Sequence, residues 1–137
     1  MAEQYITAYA VDPSQVGPTG TPVGEAILPG RHWHELAAAF RSWGLPALAD
    51  LWSRPWPDPD TDPWPFPMYA DPDQVVRIDA ELADFDPDRI LADHDLLPGG
   101  DDDAEEAHWL VSERLPEWIT AARAAGGGLY LVRDGAK

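Results

Sequence analysis

The sequence predicts a single α+β domain that takes in all of residues 1–137. Residues that favour β-strands lie near both ends of the chain, at 5–11 and 129–132. Between these segments, apolar residues recur at spacings of three and four, which is the pattern of helices with one buried face. A length of 137 residues is also common for one domain with one core.

The two terminal segments are expected to form a small sheet. The first has large residues at alternating positions, and Asp12-Pro13 ends it because proline has no N–H to donate to a neighbouring strand. One face of this strand would carry Tyr5, Thr7, Tyr9 and Val11, and the other Ile6. Residues 129–132 follow a run of glycines and predict a closing strand. We expect the two strands to pair as neighbours.

Two stretches are predicted to lack regular structure. Residues 17–30 are rich in glycine, proline and threonine and predict a loop. Residues 54–68, here called the Pro/Trp segment, contain prolines at a density that excludes a helix and a central strand. We expect Trp56, Trp64 and Phe66 to lie against the domain, since exposing all three would create an adhesive patch.

Residues 31–85 contain three predicted helical segments. An apolar stripe over residues 31–43 predicts a helix, which Gly44 is placed to end. Pro46 begins a second, short helical turn. Asp71 followed by Pro72 predicts the start of a third helix, with Asp71 as its N-cap and Gln74 completing a capping box.

The second half contains a short helix and a longer one. Asp86 is expected to cap the short helix, and Gly99-Gly100 to end that region. The acidic run that begins at Asp101 opens the last helix, where carboxylates stabilise the positive end of the helix dipole. Pro116 predicts a kink within this last helix.

Charge limits the classes of partner. The chain has 25 acidic and 9 basic residues, for a formal net charge of −16. Such a field repels phosphate backbones and anionic lipid surfaces and favours basic partners. There are no cysteines, no secretory signal pattern and no apolar run of about 18 residues. We therefore expect a cytoplasmic protein that binds neither nucleic acid nor membranes.

No cofactor, metal site or catalytic group is predicted. His32 and His34 are two positions apart, so they point to opposite sides of a helix and do not share a metal ion. His94 lies between Asp93 and Asp95, and His108 lies beside Trp109; a histidine near a carboxylate is expected by chance in so acidic a chain. The run of carboxylates from Asp101 lacks the alternating pattern and central glycine of an EF-hand loop.

The order of these segments resembles the YfbM-like family of small bacterial proteins of unknown function. The likeness rests on four places: Ile6-Thr7-Ala8-Tyr9 followed by Val11-Asp12-Pro13-Ser14, Trp33-His34 followed by Leu36, residues 69–85, and residues 109–125 with 129–132. The resemblance implies an α+β fold. It brings no established activity.

The sequence favours a non-catalytic binding module over an enzyme. Its acidic surface would bind a basic protein partner, as an immunity protein or inhibitor does. The alternative is a small enzyme or ligand-binding domain with an aromatic pocket near the His32/His34 helix. The candidate binding residues are Trp33, His34, Trp56, Trp64 and Tyr69. In a third interpretation, the Pro/Trp segment fills the surface of a neighbouring copy in an oligomer.

Overall fold

An antiparallel sheet forms one layer of the protein. The computed structural model describes residues 3–18, 20–29, 33–61 and 63–135. The sheet strands are β1 (Glu3–Val11), β2 (Thr21–Pro29), β3 (Phe66–Ala70) and β4 (Gly128–Gly135). Their order is β2-β1-β4-β3, so the terminal strands β1 and β4 are neighbours. This confirms the predicted α+β fold and the predicted pairing of the two ends of the chain.

Helices form the second layer. They are α1 (Trp33–Ser42), α2 (Pro46–Ser53), α3 (Pro72–Asp84), α4 (Asp88–Ala92), α5 (Asp101–Trp109) and α6 (Leu115–Ala124). Helix α6 contacts β1, β2 and β4, whereas α2 and α3 cover β3. Of the helices in the described ranges, none combines the length and the apolar character needed to cross a lipid bilayer.

The core lies between these layers. On β1, Ile6, Ala8 and Ala10 are buried in it. Two of these side chains are single methyl groups, which lets a helix approach the sheet closely. Trp118 and Ile119 of α6 fill the space. Tyr5, Thr7 and Tyr9 lie on the other face of the strand, as the alternation predicted.

The prediction of a loop over residues 17–30 is wrong for residues 21–29, which form β2. This strand pairs antiparallel with β1, and its Gly24 lies opposite Ala8. The glycine is required by packing, because a Cβ atom there would lie 2.5 Å from the indole nitrogen of Trp118. A register shift between Ala8 and Tyr9 accommodates the irregular part of the strand. Thr19 and Gly30 lie outside the described residues.

The prediction for the Pro/Trp segment is wrong for residues 66–68, which belong to β3. The remaining described residues of the segment, 54–61 and 63–65, form no helix or strand. Strand β3 is an edge strand, where a proline is tolerated because no partner needs its missing N–H. Pro67 instead contributes its carbonyl, which accepts a hydrogen bond of 2.9 Å from the backbone N–H of Trp56.

Two predicted helix ends are confirmed. Gly44 has φ of 77°, and the backbone N–H of Leu45 reaches back to the carbonyl of Phe40 at 2.9 Å, which closes α1. At the start of α3, the Asp71 carboxylate accepts a 2.8 Å hydrogen bond from the Gln74 backbone N–H. The Gln74 side chain does not complete a capping box, because it donates to the carbonyl of Ala47. Residues 31 and 32 lie outside the described part of the chain.

A π-helical turn precedes Pro116, the residue at which the sequence predicts a kink. Residues Leu110–Arg114 form this wider turn between α5 and α6, and the Leu115 N–H donates to the Leu110 carbonyl. Pro116 then lies in the first turn of α6, directly after the π-helical turn.

We predict that Gly24→Ala destabilises the fold by about 1–3 kcal/mol, the usual cost of forcing an extra methyl group into a packed core. The new Cβ would collide with the indole of Trp118, which is fully buried. Urea unfolding measures the change. The control is Thr21→Ala, an exposed change on the same strand, which should alter the unfolding free energy far less. Equal stability of Gly24→Ala and the wild type would contradict the close contact between β2 and α6.

Candidate functional site

A cleft lies between the Pro/Trp segment and the helices α2 and α3. Its volume is about 360 Å³, which is the lower end of the range for small-molecule sites. Its walls include Arg54, Trp56, Tyr69, Gln74 and Arg77. We call it the Arg54–Arg77 cleft.

The aromatic wall of the cleft belongs to a cluster on the sheet face away from the helices. Tyr9, Tyr130 and Tyr69 lie side by side across β1, β4 and β3. The Trp56 ring meets Tyr69 edge-on at a centroid distance of 5.8 Å and Tyr130 at 6.1 Å. Edge-to-face pairs of this kind are favourable beyond the area that they bury. Trp56 is therefore held against the sheet at one end of the cleft.

Two arginines of the cleft have no partner among the residues that the structure describes. Among the described residues, neither Arg54 nor Arg77 makes an ion pair or a hydrogen bond. The described arginines elsewhere are engaged with carboxylates or aromatic rings: Arg41 with Asp50, Arg89 with Asp93, Arg114 with Glu117, Arg123 with Asp79, and Arg133 with the rings of Trp64 and Phe66. Unpartnered guanidinium groups are unexpected in a chain with 25 acidic residues.

The lack of a partner for Arg77 has a specific cause. Glu81 is four positions further along α3, at the spacing of a helical ion pair. Its carboxylate instead accepts hydrogen bonds from the backbone N–H groups of Ala47 and Leu48, at 2.9 and 3.3 Å. Glu81 thereby caps the first turn of α2, which has no side-chain cap of its own. The guanidinium of Arg77 is left for the cleft.

Two of the three carboxylates in the cleft are already engaged. Asp50 binds the guanidinium of Arg41 at 2.8 Å. Asp71 accepts the capping hydrogen bond from Gln74. Asp73 is exposed on the first turn of α3. The cleft therefore has free positive groups next to carboxylates that are largely committed to the fold.

The structure places the sequence-predicted site residues in different regions. Trp56 and Tyr69 line the cleft, and His34 is exposed on α1 and does not line it. The expectation that Trp64 lies against the domain is wrong, because its side chain is 49% exposed. The Cζ atom of Arg133 lies 5.5 Å from the centroid of the Trp64 ring. His32 and the side chain of Trp33 lie outside the described residues.

Sequence reasoning missed Arg54 and Arg77. Arg54 carried a weak signal, because it is a cation next to a proline- and aromatic-rich segment. The sequence around Arg77 was misleading. One acidic residue lies four positions before it and another four positions after it, and this spacing favours an ion pair on a helix. Only the contact between α2 and α3 shows that Glu81 has another role.

His94 and His108 belong to an acidic surface on the second half of the chain. His108 lies 3.1 Å from Asp88, and His94 lies 3.4 Å from both Asp95 and Asp101. These contacts link α4 and the turn after it to α5. Within the described ranges, no group of three or more histidine and acidic side chains is arranged to hold a metal ion.

This surface is dense in carboxylates. Residues 84–108 hold ten acidic residues and one arginine, Arg89, which pairs with Asp93. The exposed members are Asp84, Asp86, Asp88, Asp95, Asp101, Asp102 and Glu105; we call them the α4–α5 acidic surface. Leu91 and Leu96 lie in the same stretch and are 40% and 46% exposed. Acidic charge and accessible apolar side chains thus occur together.

Two tyrosines of the aromatic cluster have raised pKa values. Burial, with a smaller effect of neighbouring Tyr9, raises the pKa of Tyr130 above the usual 10.0. Burial also raises the pKa of Tyr69, and the charges of Asp71 and Asp12 add to it. Both phenols therefore stay protonated at neutral pH and remain able to donate hydrogen bonds.

We predict that the protein loses stability as the pH rises above the ordinary tyrosine pKa of 10.0. As the pH rises, Tyr130 loses its proton in the unfolded chain at a lower pH than in the folded protein. The folded state therefore loses stability relative to the unfolded state once the pH passes the ordinary tyrosine pKa. Tyr130→Phe should lessen this alkaline loss, measured as the unfolding free energy near neutral pH and above pH 10.0. The exposed control Tyr5→Phe should leave the loss in place. An unchanged alkaline loss in Tyr130→Phe would contradict the prediction.

Comparison of the chain with protein-family models, with curated proteins and with solved structures found no match. The resemblance to the YfbM-like family stays a prediction from the four segments that carry it. The candidate site is therefore defined by its own geometry: a cleft with two arginines that have no partner in the described part of the chain, and a separate surface of carboxylates with exposed leucines.

Proposed function

We propose that the protein is a non-catalytic interaction module that binds a basic protein partner in the cytoplasm, in the manner of an immunity protein or inhibitor. The observation that carries the proposal is the α4–α5 acidic surface with its two exposed leucines. Its carboxylates attract a cationic partner, and the leucines offer contacts that a purely solubilising surface does not need.

The charge distribution supports this role. Residues 84–108 contribute a net charge of −9, from ten acidic residues and one arginine, to the total of −16. Concentrated charge of one sign steers an oppositely charged partner and raises its association rate constant. Because exposed charges are screened beyond about 8 Å at physiological ionic strength, such steering acts at close range and depends strongly on salt.

The exposed leucines support a defined interface. Interfaces combine an apolar centre with a polar rim, and their binding energy is concentrated in a few side chains. Leu91 lies on α4 and Leu96 in the short turn that follows it. Asp88 and Asp95 occur in the same stretch. A basic amphipathic segment offers the complementary chemistry.

We predict that the four substitutions Asp88→Asn, Asp95→Asn, Asp101→Asn and Asp102→Asn together abolish retention of the basic partner in a low-salt pull-down. With the purified partner, the association rate constant should fall about tenfold or more, because steering is lost. The control variant carries Glu25→Gln, Glu35→Gln, Asp60→Asn and Glu113→Gln, which remove the same charge at other exposed positions. If the two variants retain the same proteins, or if the wild type retains no basic protein, the proposal fails.

We predict a different kinetic effect for Leu91→Ser with Leu96→Ser. These changes leave the charge intact, so the association rate constant should stay within about twofold, whereas dissociation should accelerate about tenfold or more through loss of the apolar contacts. Surface plasmon resonance at one salt concentration separates the two rates. The exposed change Val76→Ser on α3 is the control. Unchanged dissociation in the double variant would show that the surface attracts by charge alone.

A further inference from the structure

We propose that the Arg54–Arg77 cleft binds a small ligand in which a planar ring carries one carboxylate or phosphate group. This inference is independent of the proposed interaction with a basic protein. It concerns a different part of the molecule and ligands of the opposite charge.

The two arginines supply the anion-binding groups. Guanidinium groups form forked hydrogen bonds with carboxylate and phosphate oxygens, and these charge-assisted bonds are stronger than neutral ones. Arg54 and Arg77 have no internal partner among the described residues, so no ion pair has to be broken before a ligand binds. Every other arginine in the described ranges has a carboxylate or an aromatic ring as its partner. The two that have neither both line this cleft.

The carboxylates of the cleft do not neutralise these arginines. Asp50 is held by Arg41, and Asp71 is held by the first turn of α3. Arg77 also lacks its helical neighbour Glu81, whose oxygens accept from the backbone of α2. The third carboxylate, Asp73, is exposed on the first turn of α3 and makes no ion pair with either arginine, so among the described residues the guanidinium groups stay open to a ligand.

Trp56 and Tyr69 supply the ring-binding surface. Their rings meet edge-to-face at 5.8 Å, so they form one rigid corner of the cleft. Trp56 is half-buried, and its backbone is fixed to Pro67 by a hydrogen bond of 2.9 Å. A fixed aromatic side chain costs little entropy when a planar ring packs on it. The Tyr69 hydroxyl is an additional donor for an oxygen of the ligand.

The size of the cleft fits a small ligand. A volume of about 360 Å³ accommodates a single substituted ring with its acidic group and some water. The polar walls select for a charged compound over a purely apolar one. A carboxylate and a phosphate share the oxygen geometry that arginine recognises, so the experiment includes both.

The test titrates the ¹⁵N-labelled protein with phenylacetate and with phenyl phosphate, following the indole N–H resonance of Trp56, which is assigned from Trp56→Phe. We expect this resonance to shift with at least one of the two anions. The preferred anion identifies the acidic group. The uncharged 2-phenylethanol and the cationic phenethylammonium should bind at least about tenfold more weakly, because each lacks the charge-assisted hydrogen bonds.

Variants then locate the site. Arg54→Gln and Arg77→Gln should each weaken binding of the preferred anion by about tenfold or more. Both arginines are exposed and unpaired, so both variants should keep the wild-type unfolding transition. The matched control Arg89→Gln removes the same charge on α4, away from the cleft, and should bind as the wild type does.

Several outcomes would overturn the inference. A Trp56 resonance that is unmoved by either anion at millimolar concentration shows that the cleft does not bind them. Equal weakening in Arg89→Gln shows a general charge effect. Tighter binding of phenethylammonium shows that the carboxylates govern the cleft. Inorganic phosphate that binds as tightly as phenyl phosphate removes the role of the ring.

Discussion

The close approach of α6 to the first two strands is the constraint on which the rest of the structure depends. The inner face of β1 carries alanines at positions 8 and 10, and β2 carries Gly24, so the space above them is filled by the Trp118 ring. The indole N–H of Trp118 has no hydrogen-bond acceptor among the described residues, and packing alone holds the ring. Because α6 lies so near the sheet, β2 can pair with β1 although its own sequence is poor in strand-forming residues.

The same sheet also organises the opposite face. β4 pairs with β1 and with β3, which places Tyr9, Tyr130 and Tyr69 in one row. This row is the surface on which Trp56 rests, and Trp56 in turn fixes the path of the Pro/Trp segment beside α2 and α3. The cleft is therefore a consequence of the sheet order. A strand order in which β3 and β4 were not neighbours would separate Tyr69 from Tyr130 and leave Trp56 without this pair of ring contacts.

Local patterns predicted the parts of this fold in which a residue acts on its own neighbours in the chain. Gly44 ends α1 and Asp71 begins α3 for reasons contained in a few consecutive residues. The strand β2 could not be predicted in this way, since Gly24 reads as a loop residue until Trp118 is seen against it. The cleft was hidden for a similar reason. Trp56 and Tyr69 were candidates because aromatic residues in such a segment are conspicuous, whereas the availability of Arg77 depends on Glu81 reaching across to α2.

Opposite charge preferences at two places are compatible in one small domain because electrostatic effects in salt solution are local. Exposed charges are screened beyond about 8 Å. The net charge of −16 therefore affects how the whole molecule meets a large partner. It has little effect inside a cleft whose own walls carry guanidinium groups. Forked hydrogen bonds to an anion act at contact distance, and the carboxylates that share the cleft with Arg54 and Arg77 form no ion pair with them. Anion binding depends on which charged groups can contact the anion directly. An acidic protein can therefore keep an anion site when most carboxylates near that site are engaged in helix caps and ion pairs.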